Sequence, residues 1–395
     1  MEIDLLDNAS LGTIIKVVGV GGAGGNAVQH MINKGVCGVE FIAANTDAQA
    51  LLNSKAHNII QIGDTGLGAG MKPAVGRQLA EESRGRIEDA LRGAHMVFIA
   101  AGMGGGTGTG AAPIVAQIAK EQGALTVAVV SKPFSDEGKK CMDIADEGLE
   151  ELSKHVDSLI IILNEKLEEI YEDDSMIEWL QHADDVLNNA VAGIAEIINV
   201  PGHINVDFND VKTIMGEQGK AMMGTATASG VDRARIAAEQ AVASPLLDGI
   251  DLSGARGVLV NVTASRSLKG KEIKEVMATV RAFAAQDASI AQGIAYDDNM
   301  GDDIRVTVVA TGLGRSRATV QLVQTPVLRT GTHNEPINAH SGMQHNSPTN
   351  LGNAMNTMKA PAVWRRESAS DTVRALEKNG METYDIPAFL RKQAD

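Results

Sequence analysis

Cysteine is nearly absent: Cys37 and Cys141 are the 2 in 395 residues. That is too few for a disulfide framework and at no metal-ligand spacing, so both read as reduced thiols without a cross-link or zinc role. Aromatic residues make up 3 % of the sequence, which leaves the cores to Ala, Val, Ile and Leu. Positive charge is short as well. The formal net charge is −15, and no basic block long enough to follow a nucleic-acid backbone occurs before the last third of the chain; no nucleic-acid partner is expected. No apolar run approaches the ~18 residues that cross a bilayer. The opening Met1-Glu2-Ile3-Asp4 is acidic where a secretory leader is basic, so no direct membrane insertion and a cytoplasmic location are expected. The motif G-x-x-x-x-G-K-[ST] is missing, which excludes a P-loop.

What the sequence has in quantity is glycine, 42 residues, within a chain that is 44 % apolar. Apolar cores crossed by close backbone approaches follow from that pairing. A length of 395 residues fits two folded domains plus an extended segment. Short apolar runs at 14–18, 39–43, 96–100, 125–130 and 159–162 read as strands buried on both faces, with helical stretches between them. That alternation predicts an α/β fold with a parallel sheet and ligands beyond the carboxyl ends of its strands. A helix is expected over 175–198, with Val186, Leu187, Val191, Ile194 and Ile198 on one face, ended by Pro201-Gly202. A second αβ region follows, with strands at 257–263 and 305–311 and a helix at 271–285.

After Gly314 the composition shifts. Residues 331–358 hold six Asn, three His, two Pro and one charged residue, Glu335. Such a stretch buries too little apolar surface to offset chain entropy, so 315–380 is expected to be a disordered, flexible linker. In the last fifteen residues Ile386, Phe389 and Leu390 share a helical face beside Arg391 and Lys392, and Asp385 with Pro387 suits a helix start. This reads as a short tail motif that folds on a partner.

Two glycine clusters carry the chemistry. The first strand runs into Gly19-Val20-Gly21-Gly22-Ala23-Gly24-Gly25-Asn26 and then a helix over 27–32. Backbone N–H groups there can face a phosphate with no Cβ in the way. Alone, this loop also fits a dinucleotide fingerprint, for which Asp47 nearly supplies the acidic partner. The second cluster, Gly102-Met103-Gly104-Gly105-Gly106-Thr107-Gly108-Thr109-Gly110, precedes a helix over 111–122. A dinucleotide domain needs one such turn. Two on one rim can wrap a triphosphate from both sides, with Thr107 and Thr109 adding hydroxyls.

The run Gly104 to Gly110, Asn45-Thr46-Asp47, Gly66-Leu67-Gly68-Ala69-Gly70 and Asn205-Val206-Asp207-Phe208-Asn209-Asp210 together resemble the FtsZ family of tubulin-like bacterial cell-division GTPases. The similarity spans about residues 12–314, and Asp385-Ile386-Pro387-Ala388-Phe389-Leu390-Arg391 resembles that family's partner-binding tail. The resemblance implies a Rossmann-like GTP-binding domain over 1–175, a long central helix over 176–200, a smaller α/β assembly domain over 201–314, the linker over 315–380 and the tail over 381–395. It implies GTP or GDP with Mg²⁺ on the glycine rim, head-to-tail self-assembly into protofilaments, and a ring at the division site. Gly21, Gly22, Gly104, Gly105, Gly106, Thr107 and Gly108 would then line the phosphates, and Gly24, Gly25, Asn26, Asn45, Gly68, Gly70 and Thr109 would also bind GTP. Glu137 would touch the ribose, Cys141 would lie at the nucleotide, and Asn164 with Asp184 would read the base. A carboxylate at 184 can accept from both N1–H and N2–H₂ of guanine, a donor pair that adenine lacks. Asp207, Asp210 and Asn205 would enter the next subunit's site and position the attacking water.

Three positions depart from the family pattern. Asp136 stands where an aromatic is usual, Cys141 where an Arg helps hold the nucleotide, and Leu180 where a Phe packs on guanine, although Trp179 is adjacent. Losing the cation is worth about 1.5 to 3 kcal/mol unless Lys139 or Lys140 compensates, and losing the stack about 0.5 to 1.5 kcal/mol. These departures leave room for an alternative, a nucleotide-dependent assembly protein with weak or no GTPase activity of its own. The resemblance assigns the tail to membrane-tethering and regulatory division proteins, through Asp385, Ile386, Pro387, Phe389, Leu390 and Arg391. Deleting 381–395 is therefore expected to abolish recruitment by such a protein in a pull-down while GTP binding and sedimentable polymer persist.

Overall fold

The computed structural model describes residues 12–199, 206–216, 220–244, 255–285 and 288–313. The expected linker, the tail motif and Asn205 lie outside the described residues. Ten strands form one sheet: β1 (Ile15–Val20), β2 (Glu40–Asn45), β3 (Asn58–Gln61), β4 (Met96–Gly102), β5 (Leu125–Lys132), β6 (Ser158–Leu163), β7 (Lys220–Ala228), β8 (Gly257–Ala264), β9 (Ser289–Tyr296) and β10 (Ile304–Leu313). Their order is β3-β2-β1-β4-β5-β6-β7-β10-β8-β9. Neighbours from β3 through β7 are parallel, β10 is antiparallel to β7 and β8, and β8 is parallel to β9.

The five apolar runs read from the sequence all become strands, because each is covered on both faces. Every residue of β1 is buried. On one face α1 (Gly21–Asn33) and α8 (Met176–Asn199) pack Val28, Met31, Leu187 and Val191 against Val17, Phe98 and Val127. On the other, α3 (Pro73–Glu82), α4 (Arg84–Leu91), α5 (Thr107–Glu121) and α6 (Lys139–Ser153) cover Val18, Ile99 and Val130. A third cluster holds α10 (Arg233–Val242) and α11 (Gly270–Phe283) against β7, β8 and β10.

Three strands escaped the sequence reading. β3 is a short edge strand with polar ends, β7 has the sequence KAMMGTATA, and β9 carries a mid-strand Gly293. Each is made by pairing rather than propensity. β7 also joins the two αβ regions, since Leu159↔Lys220 and Ile160↔Ala221 continue the first sheet into the second.

Strand order reverses at β1, which lies between β2 and β4. This is the switch point where a doubly wound sheet opens a crevice at its carboxyl rim. Both glycine clusters leave from the two strands flanking it. The expected helix starts at 27 and 111 need correction: α1 begins at Gly21 and α5 at Thr107. Glycine disfavours a helix interior, but contact with the sheet overrides that. A Cβ on Gly24 would collide with the Ala100 carbonyl of β4, and one on Gly108 with the Gly102 carbonyl. Gly24→Ala is therefore expected to destabilise the protein by about 1 to 3 kcal/mol, read as a lower thermal midpoint. Gly25→Ala, whose Cβ would meet nothing within 4 Å, should leave the midpoint unchanged or higher.

Candidate nucleotide site

The glycines of the rim divide into two groups by what a side chain would meet. Gly19, Gly24, Gly106, Gly108 and Gly110 are closed by neighbouring backbone, so they let elements touch. Gly22, Gly25, Gly68, Gly70 and Gly105 have nothing within 4 Å of an added Cβ, so their backbone faces open space. Gly21 (φ +75°) and Gly104 (φ +98°) turn the chain into the loops in the left-handed region. A Cβ on Gly21 would stand 3.0 Å from the Gly108 N, which brings the two clusters side by side.

The first N–H groups of α1 and α5 have no partner within their own helices, and no acceptor among the described residues takes the N–H groups of Gly105 and Gly106. These orphan donors of two adjacent helix starts converge on one rim, the arrangement that binds an anion. Thr109 plays a different part from the one expected. It is buried, and its Oγ1 accepts from the Gly104 N–H at 2.9 Å, so it shapes the loop. Thr107 Oγ1 lies 2.6 Å from Thr46 Oγ1. Thr46 is a neighbour the sequence reading did not single out; its place inside Asn45-Thr46-Asp47 was the available signal. Asn45 is buried at the end of β2 with its Oδ1 accepting from the Asp47 N–H. Asp47 itself caps α2 (Ala48–Leu52) through the Gln49 N–H, so its carboxylate is not set out as a ribose acceptor. The 66–71 loop closes the rim. Gly68, Gly70 and Met71 all have positive φ, and a Cβ on Gly106 would press on Ala69 and the Lys72 N, each at 2.9 Å.

At the other end stand the residues expected at the sugar and base. Glu137 accepts from the Phe134 N–H at 3.0 Å through Oε1, and from the Cys141 thiol at 3.6 Å through Oε2. Burial first, and the Glu137 charge second, push the Cys141 thiol up from its usual range. It stays a neutral donor and does not replace the missing cation. Its Sγ would stand 2.6 Å from a Cβ on Gly104, which fixes Cys141 against the phosphate loop. Trp179 is stacked on Phe134 at 6.3 Å and donates Nε1–H to the Tyr171 carbonyl at 2.6 Å. It is therefore not free to replace the aromatic at 180, and Leu180 is exposed.

Asn164 opens α7 (Asn164–Ile170) and is buried, and its Oδ1 has no hydrogen-bond partner. Asp184 on α8 is half-buried and also unpartnered among the described residues. Burial raises its carboxyl to about 6, against a downward pull from His30 and a further push from Asp185. A buried acceptor and a half-buried carboxylate, both without protein donors, are what a ligand offering N–H groups would complete.

Asp207 and Asp210 are not at this rim. Asp207 caps α9 (Phe208–Met215), accepting from the Asp210 N–H at 2.8 Å, and both are exposed. The Phe208 ring sits 6.2 Å from His95, which precedes β4, whereas the glycine cluster follows it. The seven residues of β4 separate the two by roughly 23 Å at ~3.3 Å per residue.

Residues 14–172 match the Tubulin/FtsZ family, GTPase domain, and residues 219–314 match the FtsZ family, C-terminal domain. A curated relative named "Cell division protein FtsZ" from Pseudomonas putida is 50% identical over 400 residues, covering 99% of this chain and 100% of its own length. The chain belongs to the tubulin/FtsZ family. A relative of the same name from Coxiella burnetii is 49% identical over 96% of both chains. Among solved structures, an empty FtsZ dimer from M. jannaschii has a TM-score of 0.73 at 45% identity, covering 76% of this chain and 88% of that one. A CetZ2 protofilament from Haloferax volcanii, at 21% identity and a TM-score of 0.64, shares the fold.

Ionising Asp184 carries a stability cost with a defined sign. Its folded carboxyl titrates at about 6 against 3.8, so the folded state holds the proton more tightly than the unfolded one. The cost is full above pH 6, on the order of 3 kcal/mol for two pH units, and vanishes below pH 4. Asp184→Asn is expected to raise the thermal stability of the nucleotide-free protein at pH 7 and to weaken GTP binding. In the unsubstituted protein GTP affinity should fall as pH drops through 6, read by equilibrium titration between pH 5 and 7.5.

Proposed function

We propose that this chain is a GTP-hydrolysing, self-assembling cell-division protein whose active site is completed by a second copy. GTPase activity follows from the family, and with it binding of GTP and GDP. One observation carries the shared-site reading: the glycine rim and the Asp207–Asp210 pair occupy opposite ends of the same parallel strands. A copy stacked head to tail would bring the exposed carboxylates of one α9 over the phosphates held by its neighbour. Hydrolysis then depends on assembly, because a lone chain holds GTP without a base near it.

Within each half, roles follow the geometry. Gly22, Gly25, Gly68, Gly70 and Gly105 give open backbone to the phosphates, alongside Gly21, Asn26 and Thr107. Asn164 and Asp184 take the base, and Glu137 takes the ribose through the lone pairs that Phe134 and Cys141 leave free. Asp207 and Asp210, with Asn205, orient the water and accept its proton. No group of three or more His, Cys, Asp or Glu among the described residues is set to hold a metal. Mg²⁺ would be carried in on the phosphates with its waters, the way this ion is usually held, and would offset phosphate charge. The tail would recruit membrane-tethering and regulatory division proteins to a midcell ring, and no described helix is long and apolar enough to cross a membrane itself.

Mixing defective copies tests the shared site. Asp210→Ala should lower phosphate release by about 10² to 10⁴-fold, the range for a lost general base, while GTP still binds. Gly105→Val should abolish GTP binding. A mixture of the two restores release above the sum of the separate rates, because each Gly105→Val copy still supplies Asp210. No restoration in mixed polymers would place the whole site within one chain.

A further inference from the structure

Asp184 has a neighbour with the opposite environment. Successive residues on a helix point about 100° apart, and only Asp185 of the two is hydrogen-bonded to α1. Asp185 turns to α1, where its Oδ1 lies 2.7 Å from His30 Nε2 and 3.3 Å from Lys34 Nζ. His30 and Lys34 are four residues apart, one above the other on a single face of α1. The same helix opens with Gly21 and Gly22 at the phosphate rim, while α8 carries the base-reading Asp184.

Elsewhere the two helices meet through apolar side chains, Ala27, Val28 and Met31 on α1 and Ala183, Leu187 and Val191 on α8. Such packing is non-directional and tolerates small slides. The charged contact is directional and fixes register. Burial alone would raise the Asp185 carboxyl, but the hydrogen bonds from His30 and Lys34 outweigh it and hold Asp185 below its usual range. His30 also pulls the Asp184 carboxyl downward. The charged groups at this junction are His30 and Lys34 on α1 and Asp184 and Asp185 on α8.

We propose that His30 and Lys34 are positioning residues for guanine recognition: by clamping Asp185 they set the distance between the phosphate helix and the base helix and aim the Asp184 carboxylate. The clamp acts on selectivity rather than on chemistry. It rests on the reading of Asp184 as the acceptor of guanine N1–H and N2–H₂. Inosine triphosphate is the discriminating probe, because it keeps N1–H and lacks the 2-amino group. A well-aimed carboxylate separates the two nucleotides, and a poorly aimed one does not.

The experiment measures the dissociation constants of GTP and inosine triphosphate for the full chain and for six variants, with thermal melts recorded alongside. Asp184→Asn should collapse the preference for GTP, which tests the base reading itself. Asp185→Asn, and His30→Ala with Lys34→Met, should each lower the preference about three- to tenfold, and combining all three should lower it no further, as expected of one coupled unit. His30→Gln, whose amide can still donate to Asp185, should keep most of the preference. If Asp184→Asn collapses the preference and the clamp variants weaken both nucleotides equally, the clamp is only structural and the proposal fails. If Asp184→Asn leaves the preference intact, the base reading fails and the clamp falls with it. Lys34→Met alone, on an exposed side chain, serves where Asp185→Asn does not fold, and an unchanged preference there overturns the proposal as well.

Discussion

The whole site depends on a helix start pressed against a strand with no side chain between them. Gly19 and Gly24 let α1 rest on β1 and β4 at the switch point of the sheet, and Gly108 does the same for α5 on β4. Because the helix axes come this close, their unpaired N–H groups leave the sheet edge together and point at one spot. A single Cβ at any of these positions would move a helix outward and separate the two rows of donors. Close packing and anion binding are thus one constraint, met by the same residue type for two reasons. Gly24 and Gly108 serve the contact, and Gly22 and Gly105 leave their backbone open to a ligand.

That constraint also explains why hydrolytic groups are absent from the rim. A surface made of glycine backbone carries no side-chain carboxylate, and a carboxylate among triphosphate oxygens would repel them. The chain places its candidate carboxylates at the far end of the strands, where Asp207 caps α9 and Asp210 follows it. The cap gives Asp207 a structural partner of its own, so its carboxylate is held without a neighbour present. On the proposed shared site, a base kept apart from its substrate until two copies meet would make turnover a report of assembly.

Much of this was legible in the sequence. Continuous apolar runs gave five strands, and the glycine clusters gave the rim. What could not be read was how a residue's role depends on its surroundings. Gly24 and Gly25 are adjacent and identical, yet one faces the Ala100 carbonyl and the other open space. The helices start earlier than 27 and 111 because a sheet contact that no local pattern reveals overrides glycine's poor helix propensity. Strands β7 and β9 carry Gly, Ala and polar residues and become strands because a neighbour offers a ladder. Thr109, Trp179 and Asp47 had suitable chemistry for the site, but each is already bonded within the protein.

Unsatisfied polar atoms need the same discrimination. Ser158 Oγ, Asn188 Oδ1 and Asn261 Oδ1 are as orphaned as Asn164 Oδ1, so an orphan alone does not mark a ligand. Asn164 differs by position: it heads α7 directly after β6, on the carboxyl rim that the glycines occupy. Asp184 adds an independent observation, a carboxylate whose burial is opposed by no bonded cation, while Asp185 beside it has two. A protein built only for stability would have exchanged the two environments or replaced Asp184 with an amide. Retaining an ionisable group at a cost of a few kcal/mol, next to a satisfied twin, makes sense where something outside the chain supplies its donors. Guanine, with two N–H groups on one edge, is the base whose chemistry matches that vacancy in bonding.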